Sequence, residues 1–327
     1  MARNPKMFIH DAVYELCFRT ENGLPMTAAP FMKRIIKGCL AAAQSKYPVT
    51  ICHYIVMANH VHMIVRVKNP EDLSRFVLYF KRESAHAINS LQGRRNHTVW
   101  CERYDSPILL DAGKVIDRIV YFYANPVQAG LTSSIDDYPN LSSWNAFINN
   151  GETETCGKVP RTIIPVINSR RLSDQKAKAI DLTLKEESLE QFQLSIEPFA
   201  WLRAFAQTQH SEPEIVKNII IQRLRTRETN LVSKRKSPPL GAKKLIRQSI
   251  FQTHTPKKFG KKMICLGSEK ATRKIFIQFF KDNAEKARKA VKQIRRGLTA
   301  VIPPSFFHPG GYLLSNILPF FTPLPLG

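Results

Sequence analysis

Residues 49–57 and 61–67 are two runs rich in β-branched and aromatic side chains, and Ala58-Asn59-His60 stands between them. This pattern predicts an antiparallel β-hairpin that turns at those three residues. Side chains alternate between the faces of a strand. His60 and His62 therefore point one way, while Val61, Met63, Val65 and Val67 point the other, into a core. A strand whose apolar face is already complete does not need two histidines for stability. Neutral imidazole is the commonest protein metal ligand, and two at i and i+2 can share one ion. Taken alone, His-x-His also fits two half-exposed surface histidines, because so short a motif is weak.

A second string supplies a different chemistry. Residues 114–125 follow a helical period. Ile116, Ile119 and Tyr123 fall on one side with Val115 at its edge, and Lys114, Asp117, Arg118, Tyr121 and Asn125 fall on the other. Tyr123 thus reads as a core aromatic, and Tyr121 does not. Pro126 biases Asn125 away from helical geometry, so the helix is expected to end there. Tyr121 and Asn125, at i and i+4, are neighbours on one face. A phenol with a pKa of about 10 is a poor nucleophile at neutral pH and needs an electrophile activated by something else. A divalent cation on a phosphate oxygen does this by polarising phosphorus and neutralising developing charge. Two histidines, a carboxamide oxygen and a phosphodiester could hold such an ion. The paired strings point to a tyrosine that attacks DNA phosphate and forms a covalent phosphotyrosine link.

With these residues in view, the chain resembles the HUH single-tyrosine transposases, in particular the REP-associated branch. The resemblance rests on Met57, Asn59, His60, Val61 and His62, then on Tyr121, Asn125, Pro126, Ala129, Gly130 and Leu131. Val13-Tyr14 through Arg19 resembles the family's opening strand, and Trp100 through Tyr104 its Trp-x-x-x-Tyr segment. The likeness covers roughly residues 8–150, in order and in spacing. It implies that His60 and His62 bind Mg²⁺ or Mn²⁺ and that Asn125 stands where the family often has a third, amide-bearing ligand. It implies that Tyr121 forms a 5′-phosphotyrosine and leaves a free 3′-hydroxyl. It further implies single-stranded DNA with a small hairpin as substrate, no nucleotide cofactor, and a monomer or homodimer, the long tail favouring the monomer. Two positions depart from the pattern: Ala58 replaces a common Pro, and Glu15 stands where the family often has His.

Charge agrees with a polyanionic partner. The 327 residues carry 49 Lys+Arg against 26 Asp+Glu, a net charge of +23. Residues 1–150 hold 17 and 12 of these, and the remainder 32 and 14, so most of the excess lies in the second half. Such a basic half is the electrostatic footprint of a nucleic-acid binder. Each phosphate it neutralises should add about 0.7 to 0.9 to the log–log salt slope. Six scattered cysteines with no Cys-x-x-Cys pair give no support to a zinc ribbon or a disulfide scaffold. No signal peptide and no membrane span are expected. The expected location is cytoplasmic, in association with the nucleoid.

The expected fold class is α+β. Residues 1–150 form a ferredoxin-like HUH nuclease domain, an antiparallel sheet with helices on one face. Residues 151–327 form a basic, mainly helical C-terminal region that binds DNA. Strands are expected at 12–19, 49–57, 60–68 and 107–111, and helices at 31–45, 71–91 and 114–125. A linker is expected at 149–162, helices near 185–207 and 213–226, a loop at 234–239, a basic stretch at 243–262 and a long helix at 268–296. The long helix should present Ile275, Phe276, Phe279 and Phe280 on its apolar side. Lys81 and Arg82 in the first region, and Arg288, Lys292 and Arg295 on the last helix, are candidate DNA-backbone contacts. Arg288, Lys289, Lys292, Arg295 and Arg296 also fit a solvated face. Phe306, Phe307 and Tyr312 could stack on bases, though core packing suits them better. The apolar tail, residues 311–326, reads as a docked segment. Two other functions remain open at this point. One is an HUH relaxase or replication initiator, which usually carries a third histidine and motor domains. The other is a domesticated hairpin-DNA-binding or regulatory protein derived from a transposase.

Overall fold

The computed structural model describes residues 9–101, 104–169, 172–188, 190–253 and 263–303. Phe306, Phe307, Tyr312, the apolar tail, residues 102–103 of the Trp100–Tyr104 segment and the end of the basic stretch lie outside the described residues. The chain runs β1 (Ala12–Arg19), α1 (Pro30–Lys46), β2 (Thr50–Val56), β3 (His60–Val67), α2 (Pro70–Leu91), β4 (Ile108–Leu109), α3 (Ala112–Gln128) and α4 (Trp144–Ile148). It continues with β5 (Glu152–Lys158), α5 (Asp174–Glu186), β6 (Glu190–Ile196), α6 (Pro213–Ser233), α7 (Ala242–Ile246), β7 (Cys265–Leu266) and α8 (Lys270–Ile294). None of the described helices is long and apolar enough to cross a membrane. The six cysteines are all unpaired, and five are buried.

The fold is α+β, as the sequence implies, with two corrections to its plan. First, the sheet has seven strands in the order β5-β6-β2-β3-β1-β4-β7. Its centre is antiparallel, with β3 between β2 and β1, and Cys17 opposite His62 in the register. β6 joins β2, and β7 joins β4, in parallel. Second, helices cover both faces. α1 and α2 bury Phe31, Ile35, Phe76 and Phe80 against Leu16, Val61, Met63 and Val65 on one face. α3 and α6 bury Val115, Ile119, Phe122, Ile220 and Leu224 against Val13, Ile55 and Ile64 on the other.

The expected linker is largely strand β5, and the expected helix at 185–207 is divided between the end of α5, strand β6 and a 3-10 turn at Ala200–Ala204. The reason is legible after the fact. Phe192, Leu194 and Ile196 alternate with polar residues, a period of two rather than 3.6. The sheet therefore continues across position 150. In α8, Phe276 and Phe280 turn inward as expected, but Ile275 is 63% exposed. The inward stripe instead steps through Phe280, Ala284, Ala287 and Ala290, at helical spacing.

Two local features carry predictions for stability. α1 crosses β5 so closely that a Cβ at Gly38 would fall inside the carbonyl oxygen of Gly157. Backbone cannot yield there as a flexible side chain would, so Gly38→Ala should destabilise the fold by about 1–3 kcal/mol. Urea unfolding checks this, and a variant as stable as the parent would contradict the close crossing. On the α2 face, the Glu83 carboxylate pairs with Arg82 at 3.0 Å, Lys158 at 3.1 Å and Arg161 at 3.3 Å. Burial pushes its pKa up, but Lys158, Arg82 and Arg161 outweigh burial and hold it below the usual carboxylate range. A folded value below the unfolded one gives stability that is present at neutral pH and lost as the pH falls through the carboxylate range. Glu83→Gln should therefore flatten the fall in unfolding free energy between pH 7 and about pH 4. Equal pH dependence in the two proteins would exclude this role.

Candidate active site

β3 sends His60 and His62 to the face covered by α3, and their rings meet edge to face with centroids 4.9 Å apart. α3 lays Phe122 against His62 at 4.9 Å and brings the Tyr121 ring to 5.7 Å from it. The two sequence strings thus share one site. Tyr123 turns away as its helical phase requires. It is fully buried, with its hydroxyl 2.8 Å from His53 Nδ1 and 3.0 Å from Ser143 Oγ.

The helix bearing Tyr121 is fixed at both ends. Asp111 caps its start, accepting from the Lys114 N–H at 2.7 Å, and binds the Ser268 N–H and hydroxyl as well. Its end corrects the expectation at Pro126: the helix runs through the proline to Gln128. Pro126 costs one backbone bond within the last turn, which a Schellman closure compensates. Gly130, at φ +70°, donates to the Val127 carbonyl, and Leu131 donates to that of Pro126. Arg235, from the expected basic loop, adds bonds to the carbonyls of Val127 (2.7 Å) and Thr132 (3.0 Å). Asn125 therefore stays helical, one turn beyond Tyr121. It is buried, and its Nδ2 has no hydrogen-bond partner among the described residues.

Second partners set the chemistry of the two imidazoles. Asn59 Oδ1 lies 2.8 Å from His60 Nδ1. An amide oxygen can only accept, so that ring nitrogen carries the proton and Nε2 keeps its lone pair. Burial holds His60 well below the ordinary imidazole pKa, helped by the nearby positive charges of His62 and Arg19. Glu15 on β1 lies with one carboxylate oxygen 3.5 Å from His62 Nδ1. Burial disfavours the charged form of His62, but Cys17 and then Glu15 outweigh it and lift its pKa to about 9. Glu15 is itself buried, and Arg118 grips both of its oxygens, Nε at 2.6 Å and Nη2 at 2.5 Å. His62 and Arg118 overcome burial and hold the Glu15 carboxyl below its ordinary pKa. The Arg118 guanidinium also stacks over the Tyr121 ring at 4.2 Å, so one side chain ties the histidine strand to the tyrosine helix.

Among the described residues, no three His, Cys, Asp or Glu side chains gather as a metal cluster. The donor set nonetheless fits a divalent ion held by few protein ligands. His60 presents Nε2 as a lone pair, and the Glu15 carboxylate faces His62 Nδ1 across 3.5 Å without a hydrogen bond, which leaves Nε2 for a metal. The raised pKa of His62 means that an ion taken up through its Nε2 would have to displace a proton there.

The other candidate contacts lie apart from this site. Lys81 and Arg82 stand on α2, the helix that packs on the opposite face of the sheet. There Lys81 donates to the Cys101 carbonyl at 2.7 Å, and Arg82 pairs with Glu83. Arg288 and Lys292 are exposed on α8, and Arg295, exposed too, is its C-cap. Sequence reasoning missed three residues. Arg118 carried a signal, since it falls on the polar face of α3 one turn before Tyr121. Asn59 was legible as a turn and motif residue, but not as the acceptor that fixes the His60 ring. Arg227 on α6, whose guanidinium lies 5.7 Å from the Tyr121 ring, carried none.

The middle strand of the sheet thus presents two histidines to a tyrosine-bearing helix. Residues 9–117 match the family model described as transposase IS200 like. The match ends before Tyr121. One solved structure similar to the chain is a REP-associated tyrosine transposase bound to a REP hairpin, at 18% identity and a TM-score of 0.40, over 46% of this chain and 86% of that one. Another is a candidate transposase from Deinococcus radiodurans R1, at 16% identity and a TM-score of 0.28, over 38% of this chain and 97% of that one. No curated protein matches the chain.

Proposed function

We propose that this protein is a tyrosine transposase that cleaves and rejoins single-stranded DNA by transesterification at Tyr121, using Mg²⁺ or Mn²⁺ and no nucleotide cofactor. The observation that carries the reading is the meeting of the histidine pair with the half-buried Tyr121 beneath one arginine. The Tyr121 hydroxyl oxygen attacks a backbone phosphorus, forms the Tyr–O–P bond and releases its proton to solvent. The P–O3′ bond breaks, and the departing oxygen takes up a proton to give a free 3′-hydroxyl. The reverse attack by a 3′-hydroxyl rejoins a strand and restores the phenol. His60 and His62 would hold the ion through Nε2, with Asn125 as a further oxygen donor. When bound, the ion would polarise the phosphate and offset its developing charge. Phe122 packs His62 in place, and Glu15 orients it. The basic second half, including Arg288, Lys292 and Arg295, would grip the strand or a flanking hairpin through phosphates.

End-labelled hairpin DNA from the gene's own flanks, incubated with the protein and Mg²⁺ or EDTA, tests the reading. The upstream fragment released should carry a 3′-hydroxyl that a polymerase extends, and EDTA should prevent its release. A 3′-phosphate on that fragment would assign the chemistry to a different attack. Binding without any cleavage in either Mg²⁺ or Mn²⁺ would favour a DNA-binding protein that has lost the reaction.

A further inference from the structure

Four arginines stand on α3 and α6, the two helices that pack together beside the tyrosine site, and three of them have carboxylate partners. Arg118 is held by Glu15, Arg223 reaches Asp117 at 3.4 Å, and Arg225 pairs with Asp136 at 2.7 Å and Glu228 at 2.8 Å. Arg227 differs. Among the described residues it has no carboxylate partner. Its Nη2 rests on the Gln128 amide oxygen at 3.1 Å, and its Nε is buried with no hydrogen-bond acceptor. Its guanidinium nevertheless stands 5.7 Å from the Tyr121 ring. A buried donor without an acceptor is costly, and such groups are rare unless a ligand or water completes them. The planar guanidinium fork matches phosphate oxygens better than any other side chain.

We infer that Arg227 is a phosphate-binding residue of the tyrosine site, supplied to it by the basic C-terminal half of the chain. The proposal rests on the reading of Tyr121 as nucleophile. Arg227 donates to a non-bridging oxygen of the phosphodiester that Tyr121 attacks. It neither gives nor takes a proton; it holds the charge that builds on that oxygen as the Tyr–O–P bond forms and the P–O3′ bond breaks. Arg118 is less suited to this, because Glu15 takes its Nε and Nη2 and neutralises its charge. The fixed contact to Gln128 on α3 keeps Arg227 in register with the tyrosine on the same helix.

The test uses the full chain, Mn²⁺ and a saturating hairpin oligonucleotide from the gene's flanks, with covalent adduct formation followed in a single turnover. Arg227→Gln should slow the adduct by about 100-fold, the usual loss for one donor at a reacting oxygen. Arg227→Lys should recover part of the rate, and it also serves as the second variant where Arg227→Gln does not fold. A neutral methylphosphonate at the cleaved position should erase the difference between Arg227→Gln and the parent, which a merely structural arginine would not do. In a Tyr121→Phe background, the same change should lower the salt slope of single-strand binding by about 0.7. An Arg227→Gln rate equal to the parent's, a penalty that persists on the neutral linkage, or an unchanged salt slope would overturn the proposal. An adduct that survives Tyr121→Phe would instead overturn the tyrosine reading, and Arg227 would then stand or fall on the salt slope alone.

Discussion

Replacing Tyr121 with Phe should abolish the covalent protein–DNA species while leaving the fold and DNA affinity in place. The substitution removes one oxygen and keeps the ring. The ring is what stacks beneath Arg118 at 4.2 Å and meets His62 edge to face at 5.7 Å, so the site should keep its shape. Tyr121 is half-buried, and stability should change by no more than about 0.5 kcal/mol, as for surface changes away from packed features. Tyr123 supplies the contrast. Its hydroxyl is buried between His53 and Ser143, so Tyr123→Phe leaves two polar partners short and should cost about 1–3 kcal/mol, yet adducts should form normally. Gel detection of the adduct and urea unfolding of both variants would show this crossed pattern. Adducts from Tyr121→Phe but not from Tyr123→Phe would reverse the assignment.

Glu15→Ala should have the largest effect on stability and should weaken the ion site as well. The buried carboxylate faces two partners at once, Arg118 through both oxygens and His62 through one. Removing one member of a buried charged set strands the others. Arg118 keeps 23% side-chain exposure, which screens it, so the loss should lie at the lower end of the usual range, about 3 kcal/mol. Without Glu15, His62 loses the partner that orients its ring, and Mn²⁺ affinity should fall by about 10- to 100-fold, as for other residues that support a metal ligand. Urea unfolding and direct Mn²⁺ titration measure the two effects separately, and neither requires DNA. Glu15→Gln keeps the shape and one acceptor and should fall between the parent and Ala. A Glu15→Ala protein with parental stability and parental Mn²⁺ affinity would show that the carboxylate organises neither half of the site.

Much of the site follows from the two periods of secondary structure. A repeat of two puts His60 and His62 on one face, and a repeat of 3.6 separates Tyr121 from Tyr123; both placements hold in the fold. What escaped depends on contacts between distant segments. The role of Glu15 follows from β1 lying beside β3, and from α3 crossing that face so that Arg118 can reach it. Arg227 belongs to a helix charged on several sides, and only packing against α3 gives it a place. Pro126 misled because the rule for residues before proline is statistical, whereas the Gly130 closure and Arg235 stabilise the extra turn here. Strand β6 was missed because it lies near the edge of the sheet with half its residues in water, where an alternating run is short and easily read as helix.

The most direct test of the central claim is to identify the residue that carries the DNA. The protein is reacted with flank-derived hairpin DNA in Mg²⁺, the adduct is digested with nuclease and trypsin, and the modified peptide is sequenced by mass spectrometry. The account predicts a nucleotide linked by its 5′-phosphate to Tyr121, and no such species in EDTA. A modification at Tyr123 or at any residue other than Tyr121, or an adduct that forms equally well in EDTA, would contradict it.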